Sequence, residues 1–353
     1  MTAAFRSNEN HFEEMADIPS RMVFSRGSSE TPFLSVVIPT YRRSDLLEMA
    51  LTSALNQSQV SCAYEVIVVD NDADADDQSP TAQLVQQSSG TAPLTYYRNT
   101  KNLGIAGNWN RCVELARGEW VGILHDDDML RPDYVERIYS LLMQHPQAQG
   151  IMVDFYPLYD GADPRTMVTR GWKSSLYDRL GRGKLMPLRQ QDSDIMLSNV
   201  YGAPTCGSVF RKGALLEVGG FDPALHPSFD WFLLYRFCGK YPLYRTMERL
   251  GYYRFFTNVS MKDETKAAFL RQRVDFAEYV ETTEGAGAWL RRVFLNEQNN
   301  EILNTQYTDH VDKLPSDYFP EETLRHRPFR AMLYRLITKA YWKGKSIGSL
   351  LFG

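Results

Sequence analysis

The sequence has few cysteines, no long apolar run and no excess of positive charge. Its four cysteines have no CxxC spacing, so neither a disulfide framework nor a zinc site is indicated. No stretch approaches the roughly 18 apolar residues that cross a bilayer, and the acidic N-terminal segment does not have the build of a signal peptide. A formal net charge of −4 argues against a nucleic-acid partner. We therefore expect a cytoplasmic protein with reduced thiols.

The composition is that of an ordinary globular protein, with 43% hydrophobic and 23% charged residues among 353. Residues 1–31 are polar and lack a sustained period, which predicts a mobile N-terminal tail containing at most one short helix. Residues 32–260 form the main predicted domain. Helical patterns dominate residues 261–353 and predict a C-terminal helical extension.

Strand and helix patterns alternate through the first half of the main domain. Five short apolar runs predict strands, at residues 33–38, 65–69, 94–97, 120–124 and 150–155. Helical patterns lie between them, and a further helix is expected at residues 230–237, with Trp231, Leu234 and Tyr235 facing inward. This alternation predicts an α/β fold with a mostly parallel sheet flanked by helices.

Three adjacent carboxylates, Asp126, Asp127 and Asp128, follow the fourth predicted strand. Ligands bind outside the carboxyl ends of strands in open α/β sheets, so these acids are expected at a binding edge. Like charges repel one another unless a cation neutralises them, and clustered oxygens suit Mg²⁺ or Mn²⁺. A divalent ion in turn indicates a phosphate-bearing substrate.

Other chemically suited side chains follow neighbouring strands. After the first strand, Tyr41 can stack on a base and Arg43 can meet a phosphate. Asp70 and Asn71 follow the second strand, where they can bind ribose hydroxyls and a base edge. Residues 102–104 (Asn102-Leu103-Gly104) precede a predicted helix that carries Asn110. The N-terminus of a helix is a favourable site for anions.

Together these motifs resemble the family 2 glycosyltransferases over roughly residues 33–256. The resemblance rests on residues 35–41 (SVVIPTY), 68–71 (VVDN), 102–104 (NLG) with Asn110, and 116–120 (ARGEW) continuing into 125–128 (HDDD). It implies a GT-A fold, an inverting reaction and a nucleotide-sugar donor, either a UDP-sugar or a dTDP-sugar. It also implies a glycan or lipid-linked glycan acceptor, in surface polysaccharide assembly. A nucleotide-binding half would extend to about residue 130, with the acceptor half after it.

The resemblance also assigns roles to individual residues. Four positions match the family's nucleoside pocket: Pro39, Tyr41, Asp70 and Asn71. Asp127 is the first choice for contact with Mn²⁺ or Mg²⁺, and Asp126 and Asp128 would share the ribose and the metal. Asp230 matches the catalytic base. Where many relatives place a histidine ligand, this chain has Phe256, which cannot ligate.

Plainer interpretations exist for several of these residues. Asp230 suits a helix cap, Tyr41 can cover the core, Asn110 can bond neighbouring backbone and His125 suits a structural hydrogen bond. Cys206 is not expected to be a nucleophile, because no histidine pattern lies near it in the sequence. The alternative functions are a nucleotidyltransferase and a degenerate, non-catalytic subunit that binds nucleotide-sugars. The loop at residues 39–43 lacks the glycines expected of the former.

The C-terminal tail from Arg325 onward is basic and amphipathic. Arginines and lysines recur there without an acid after Glu322, and apolar residues recur at helical spacing up to Phe352. Such a helix suits the surface of an anionic membrane, where lipid-linked acceptors would be found. We therefore expect peripheral contact with the inner face of the cell membrane, and the alternative is a helix that packs on the protein's own core.

Overall fold

The computed structural model describes residues 9–27, 31–158, 181–188, 205–254 and eight helical positions between 265 and 279. Phe256, the basic tail from Arg325 and most of the predicted C-terminal extension lie outside the described residues. Across the described part of the chain, no helix is long and apolar enough to cross a membrane.

Ten strands and six α-helices alternate along the described residues. The strands are β1 (Ser20–Arg26), β2 (Leu34–Thr40), β3 (Tyr64–Asp70), β4 (Leu94–Asn99), β5 (Trp120–Ile123), β6 (Met129–Leu130), β7 (Gly150–Leu158), β8 (Leu185–Leu188), β9 (Val209–Arg211) and β10 (Leu243–Arg254). The helices are α1 (Ser44–Leu55), α2 (Pro80–Gln87), α3 (Gly104–Leu115), α4 (Tyr134–Gln144), α5 (Lys212–Glu217) and α6 (Phe229–Lys240). The predicted helix at residues 230–237 is confirmed as α6, and Trp231, Leu234 and Tyr235 are buried.

The strands form one sheet in the order β1-β4-β3-β2-β5-β9-β7-β10-β6, and β8 pairs with β10. Strands β2, β3, β4, β5, β7 and β10 all point the same way. The predicted fold class, a mostly parallel sheet flanked by helices, is therefore confirmed. In the register, Thr40 lies opposite Asp70 and Val37 opposite Ile123, so β2, β3 and β5 end at one edge.

Helices cover both faces of the sheet. Every residue of β2 and β3 is buried, as expected for parallel strands between two layers. Alternate side chains enter different cores: Val37 packs in the core that includes residues of α3 and α6, and Val36 in the one that includes residues of α1, α2 and α4. The two cores hold the sheet edge rigidly beneath the polar loops.

The N-terminal segment does not form the predicted mobile tail throughout. Strand β1 pairs antiparallel with β4, from Ser20 opposite Asn99 to Arg26 opposite Leu94. Before it, His11, Phe12 and Met15 are buried, and the His11 amide donates to the carbonyl of Gly219. The prediction failed here because β1 is an edge strand of intermediate and exposed residues, which gives little apolar alternation.

Strand β10 was not predicted from the sequence. It runs parallel to β7 and antiparallel to β6 and β8, and its end brings Arg254 to the loop after β5. The division into nucleotide-binding and acceptor halves near residue 130 stays a prediction.

Candidate active site

An arginine joins two of the three predicted acidic residues at the end of β5. Arg43 Nη1 donates to Asp126 Oδ1 at 3.0 Å, and Nη2 donates to Asp127 Oδ2 at 2.7 Å. Thr40 Oγ1 donates to Asp126 Oδ2 at 2.9 Å. The acids thus face the loop after β2 and do not spread into solvent. Because the two carboxylates already converge on one cationic group, their oxygens fit a hard divalent ion.

The ionised form of Asp126 is disfavoured by burial. Burial raises the pKa of Asp126 to about 7, Arg43 opposes this rise and neighbouring Asp127 adds to it. A carboxylate in this position ionises fully only beside a strong positive charge. A positive charge beside Asp126 therefore favours its ionised form near neutral pH.

Asp128 belongs to a second group of potential ligands. It is fully buried, and the backbone N–H of Arg254 donates to its Oδ1 at 2.8 Å. Its Oδ2 lies 3.2 Å from His125 Nδ1, and the ligand atoms of His125, Asp128 and Cys206 all lie within 4.8 Å of one another. A metal role for Asp128 thus stays a prediction that involves this second group.

Cys206 lies beside a histidine that the sequence did not reveal, because the two residues are far apart along the chain. His125 Nε2 contacts the hydroxyl of Thr205, the residue before Cys206, across 80 positions. Burial raises the pKa of the Cys206 thiol well above its ordinary value, and the neighbouring Asp128 raises it further. A neutral thiol is a poor nucleophile. The expectation that Cys206 is not a nucleophile agrees with this geometry.

His125 precedes the three acids at residues 126–128, called here the acidic loop, and its charge is also influenced by Asp230. Its ring packs on Trp109 with centroids 4.9 Å apart, and Trp109 also contacts Phe229 at the start of α6. Burial disfavours the charged ring, but Asp128, Asp127 and Asp230 outweigh it and raise the pKa of His125. His125 is expected to be a structural hydrogen-bonding residue, and its contacts with Thr205 and Asp128 agree with this.

Asp230 lies in the first turn of α6 and is not its cap. The helix begins at Phe229, so the N-cap is Ser228. Burial raises the pKa of Asp230 to about 6, while the Trp231 amide and His125 lower it. A carboxyl group with such a pKa is mostly ionised at neutral pH and is more basic than an exposed one, as suits a general base.

Tyr41 and Arg42 form the outer wall beside the acidic loop. Tyr41 is 41% exposed, and the Arg42 guanidinium carbon lies 5.1 Å from the centre of its ring. Arg42 Nε and Nη2 donate to the two oxygens of Asp72 at 2.8 and 2.9 Å. Arg42 also has a φ of 54°, in the left-handed region, which turns the chain so that Arg42 and Arg43 reach different acids. Tyr41 therefore has a half-exposed ring with Arg42 over one face, and its stacking on a base stays a prediction. Pro39, inside β2, is fully buried and lines no open surface.

The predicted ribose contact of Asp70 stays a prediction, and the structure gives this residue protein partners instead. Its side chain is fully buried, Tyr96 Oη donates to Oδ2 at 2.6 Å and the Asp72 amide donates to Oδ1 at 3.0 Å. Burial raises the pKa of Asp70 and these hydrogen bonds oppose the rise. Protein groups donate to both oxygens, so Asp70 helps to fix the end of β3.

The predicted base contact of Asn71 also stays a prediction, and its side chain has several protein partners. Its amide donates to Asn102 Oδ1 and the Gly104 carbonyl, and its oxygen accepts from the Leu103 amide. Asn99 also donates to that oxygen. Asn71 therefore shapes the loop that starts α3. Gly104 remains exposed there with a φ of 70°, and a side chain at that position would meet open space.

Asn110 also has a structural position, as its plainer interpretation held. It is fully buried, it donates to the Phe221 carbonyl at 2.8 Å, and its oxygen accepts from the Phe221 amide at 2.7 Å. Its substrate role is therefore corrected: Asn110 ties α3 to the segment that leads to Asp230.

Arg254 was missed among the site residues. It is buried, and its Nε donates to the Asp127 carbonyl at 2.9 Å while its amide holds Asp128. The Tyr-Arg pair at residues 253–254 was the available signal, since it lies just before the position where many relatives have a histidine ligand.

The comparison with protein families gives a match to the model of glycosyl transferase family 2, over residues 35–219 and hence more than half of the chain. An uncharacterized glycosyltransferase from Haemophilus influenzae is 28% identical over 257 residues, which cover 72% of this chain and 79% of that relative.

Two solved structures resemble the fold at low sequence identity. S. aureus TarS 1-349 in complex with UDP-GlcNAc has a TM-score of 0.57 and 15% identity, covering 88% of this chain and 92% of that one. The mannosyltransferase PcManGT from Pyrobaculum calidifontis, in complex with GDP-Man and Mn²⁺, has a TM-score of 0.50 and 18% identity, covering 92% and 88%. At such identities the likeness establishes the GT-A type of fold alone.

Proposed function

The chain belongs to glycosyl transferase family 2, and we propose that it is an inverting, metal-dependent enzyme that moves a sugar from a nucleoside-diphosphate donor to a glycan acceptor. The donor would be a UDP-sugar or a dTDP-sugar. One observation carries this proposal: Arg43, from the loop after β2, donates to Asp126 and Asp127 after β5, and the charge of Asp230 acts on His125, which directly precedes these acids.

The donor half of the site has a residue for each part of the ligand. Tyr41 would stack on the base, and Arg43 would contact the diphosphate. Asp127, with Asp126 beside it, would hold Mn²⁺ or Mg²⁺. When bound, such an ion supplies positive charge that stabilises the departing nucleoside diphosphate. With Asp70 and Asn71 turned inward, we expect backbone groups of the loop ending at Gly104 to contact the base edge or ribose.

Asp230 would act as the general base. Its carboxylate would accept the proton of an acceptor hydroxyl while that oxygen attacks the anomeric carbon and the bond to the diphosphate breaks. Attack opposite the leaving group inverts the anomeric configuration. Because Asp230 lies in the first turn of α6, the helix N-terminus favours its ionised form before the proton arrives.

A donor panel tests the proposal directly. Purified protein would be incubated with Mn²⁺ and UDP-, dTDP- and GDP-sugars, and release of the nucleoside diphosphate would be measured with a mixed glycan acceptor. The GDP-sugar arm is included because PcManGT is bound to GDP-Man. We expect release from a uridine or thymidine donor. If no donor is turned over but one raises the melting temperature with Mn²⁺, the protein is a non-catalytic subunit that binds nucleotide-sugars, and if no donor does either, the proposed function fails.

The acceptor side of the proposal involves the membrane. We propose that the basic amphipathic tail from Arg325 brings the enzyme to anionic lipid, where a lipid-linked glycan in surface polysaccharide assembly would be met. Flotation of the full-length protein with vesicles containing anionic lipid, compared with a chain ending before Arg325, measures this. We expect the truncated chain to float less, and equal flotation would remove the proposal.

A further inference from the structure

The Arg43 guanidinium occupies the position of a cation in the proposed donor site. Its two terminal nitrogens contact Asp126 and Asp127 at 3.0 and 2.7 Å. The arginine side chain is 28% exposed, whereas the two carboxylates are 8% and 7% exposed. Solvent therefore reaches Arg43 more readily than it reaches the two acids.

Arg43 and a divalent ion would compete for the same oxygens. Removing the partner of a buried carboxylate without replacement is destabilising, so a positive charge beside the two ionised acids favours the folded protein. A guanidinium supplies one charge through two hydrogen bonds. A divalent ion supplies two charges to the same oxygens, but a bound ion must first displace the arginine.

We propose that Arg43 is an exchangeable counter-ion: it neutralises Asp126 and Asp127 in the donor-free protein, then yields them to a divalent cation and turns to the donor's diphosphate. This inference rests on the proposed function. It implies that the metal alone binds weakly, and that metal and nucleoside diphosphate each strengthen the binding of the other by the same factor.

The surroundings of Arg43 are suited to such an exchange. Thr40 donates to Asp126 Oδ2, the oxygen that Arg43 does not contact, so this hydrogen bond does not depend on the arginine's position. Arg254 holds the backbone of Asp127 from the buried side and cannot follow a ligand. Arg43 comes from the loop between β2 and α1 and lies nearest to the solvent, so it is the group that can move.

Binding of Mn²⁺ in the absence of nucleotide tests the exchange. The signal of free Mn²⁺ in electron paramagnetic resonance gives its affinity for wild type, Arg43→Gln and Arg42→Gln. We expect Arg43→Gln to bind Mn²⁺ at least about tenfold more tightly than wild type, a difference well above the error of such titrations. Arg42→Gln is the matched control, because it removes an equal charge next door that pairs with Asp72 and Asp74 instead.

Two results would overturn the inference. Unchanged or weaker Mn²⁺ binding in a folded Arg43→Gln protein means that the arginine does not compete. An equal increase in Mn²⁺ affinity in Arg42→Gln means that the effect comes from losing a nearby positive charge and not from the removal of a competitor. Folding is checked by near-ultraviolet circular dichroism. If Arg43→Gln does not fold, Arg43→Lys replaces it, because lysine keeps the charge but loses the paired guanidinium hydrogen bonds. Arg43→Lys should also bind Mn²⁺ more tightly than wild type.

Titration with UDP separates this inference from the proposed function. In wild type, UDP should tighten Mn²⁺ binding severalfold, and in Arg43→Gln this mutual gain should shrink, because no arginine has to be released. If wild type binds UDP with Mn²⁺ but the gain is the same in both proteins, the counter-ion role fails alone. If wild type binds no nucleoside diphosphate, the proposed function fails first.

Discussion

Strands β3 and β5 lie on either side of β2, and both end in buried acidic or amide side chains, yet the two ends differ in how these groups are satisfied. Asp70, at the end of β3, receives hydrogen bonds from Tyr96 and a backbone amide. Asp126 and Asp127, after β5, depend on the side chain of Arg43 for their charge partner. The donors to Asp70 lie in β4 and directly after β3, and they leave little room for a ligand. Arg43 lies on a loop, so a ligand can take its place.

This difference separates stability from chemistry. Changes at the β3 end should lower the free energy of unfolding and leave the reaction intact. Changes at the β5 end should abolish the reaction and leave the fold intact. Four substitutions test that contrast.

Asp230→Asn gives the largest expected loss, since it removes the proposed base on the β5 side of the site. We expect the turnover number to fall by roughly 10²- to 10⁴-fold. In wild type, activity should fall about tenfold per pH unit below the Asp230 pKa of about 6, because the protonated carboxyl cannot accept a proton.

The residual activity of Asp230→Asn should not fall tenfold per pH unit below pH 6. Its melting temperature should exceed that of wild type most at pH 8, and the excess should shrink as the pH falls from about 6 toward 4. The folded-state pKa of Asp230 is raised from its ordinary value of 3.8, so this carboxyl lowers stability progressively as the pH rises through that interval, and fully above it. A wild-type pH profile that is flat between 5 and 7 would contradict the assignment of Asp230.

Asp127→Asn should lower turnover by roughly 10²- to 10³-fold through weaker stabilisation of the leaving group. The melting temperature should stay within a few degrees of wild type, because the new amide oxygen would still accept a hydrogen bond from Arg43 and one of two repelling charges is gone. A large drop in melting temperature together with the loss of turnover would contradict the contrast between the ends of β3 and β5.

Tyr41→Ala should weaken binding of UDP by about tenfold, the lower part of the range for base–aromatic stacking. The exposed ring carries little of the fold, so the melting temperature should not change. Tyr96→Phe is the matched control: it removes the donor to buried Asp70 and should lower stability without changing UDP affinity. Calorimetric titration and thermal unfolding measure the two quantities.

Asp70→Asn has the smallest expected effect on catalysis. It places an amide where Tyr96 and Arg98 require an acceptor, so we expect urea unfolding to show a loss of about 1–3 kcal/mol. The Michaelis constant for the donor should remain within about twofold, a change too small to indicate a lost ligand contact. A large rise in that constant with unchanged stability would return Asp70 to the nucleoside pocket.

The sequence predicts the centre of this molecule well because its signals there are strong. Continuous apolar runs predict β2, β3 and β5, and the abrupt change to acids after β5 predicts where Arg43, Asp126 and Asp127 meet. Strand β1 was missed because an edge strand of partly exposed residues has almost no apolar period.

The roles of individual polar residues were harder to predict. The sequence shows that Asn71 and Asn110 lie at loops and helices near the site, but not that neighbouring backbone groups use their amides. The approach of Cys206 and Arg254 to the acidic loop depends on contacts across more than 70 positions in the chain. Such contacts leave no local pattern.

The docking of β1 has a consequence for how the protein can be shortened. Phe12 packs where a side chain on Gly220 would come within 2.8 Å of its ring, and β1 occupies the outer hydrogen-bonding row of β4. Trimming the chain to residue 32 would uncover both at once. An open strand edge pairs readily with other molecules, so the trimmed protein should aggregate at concentrations where the longer one stays monodisperse.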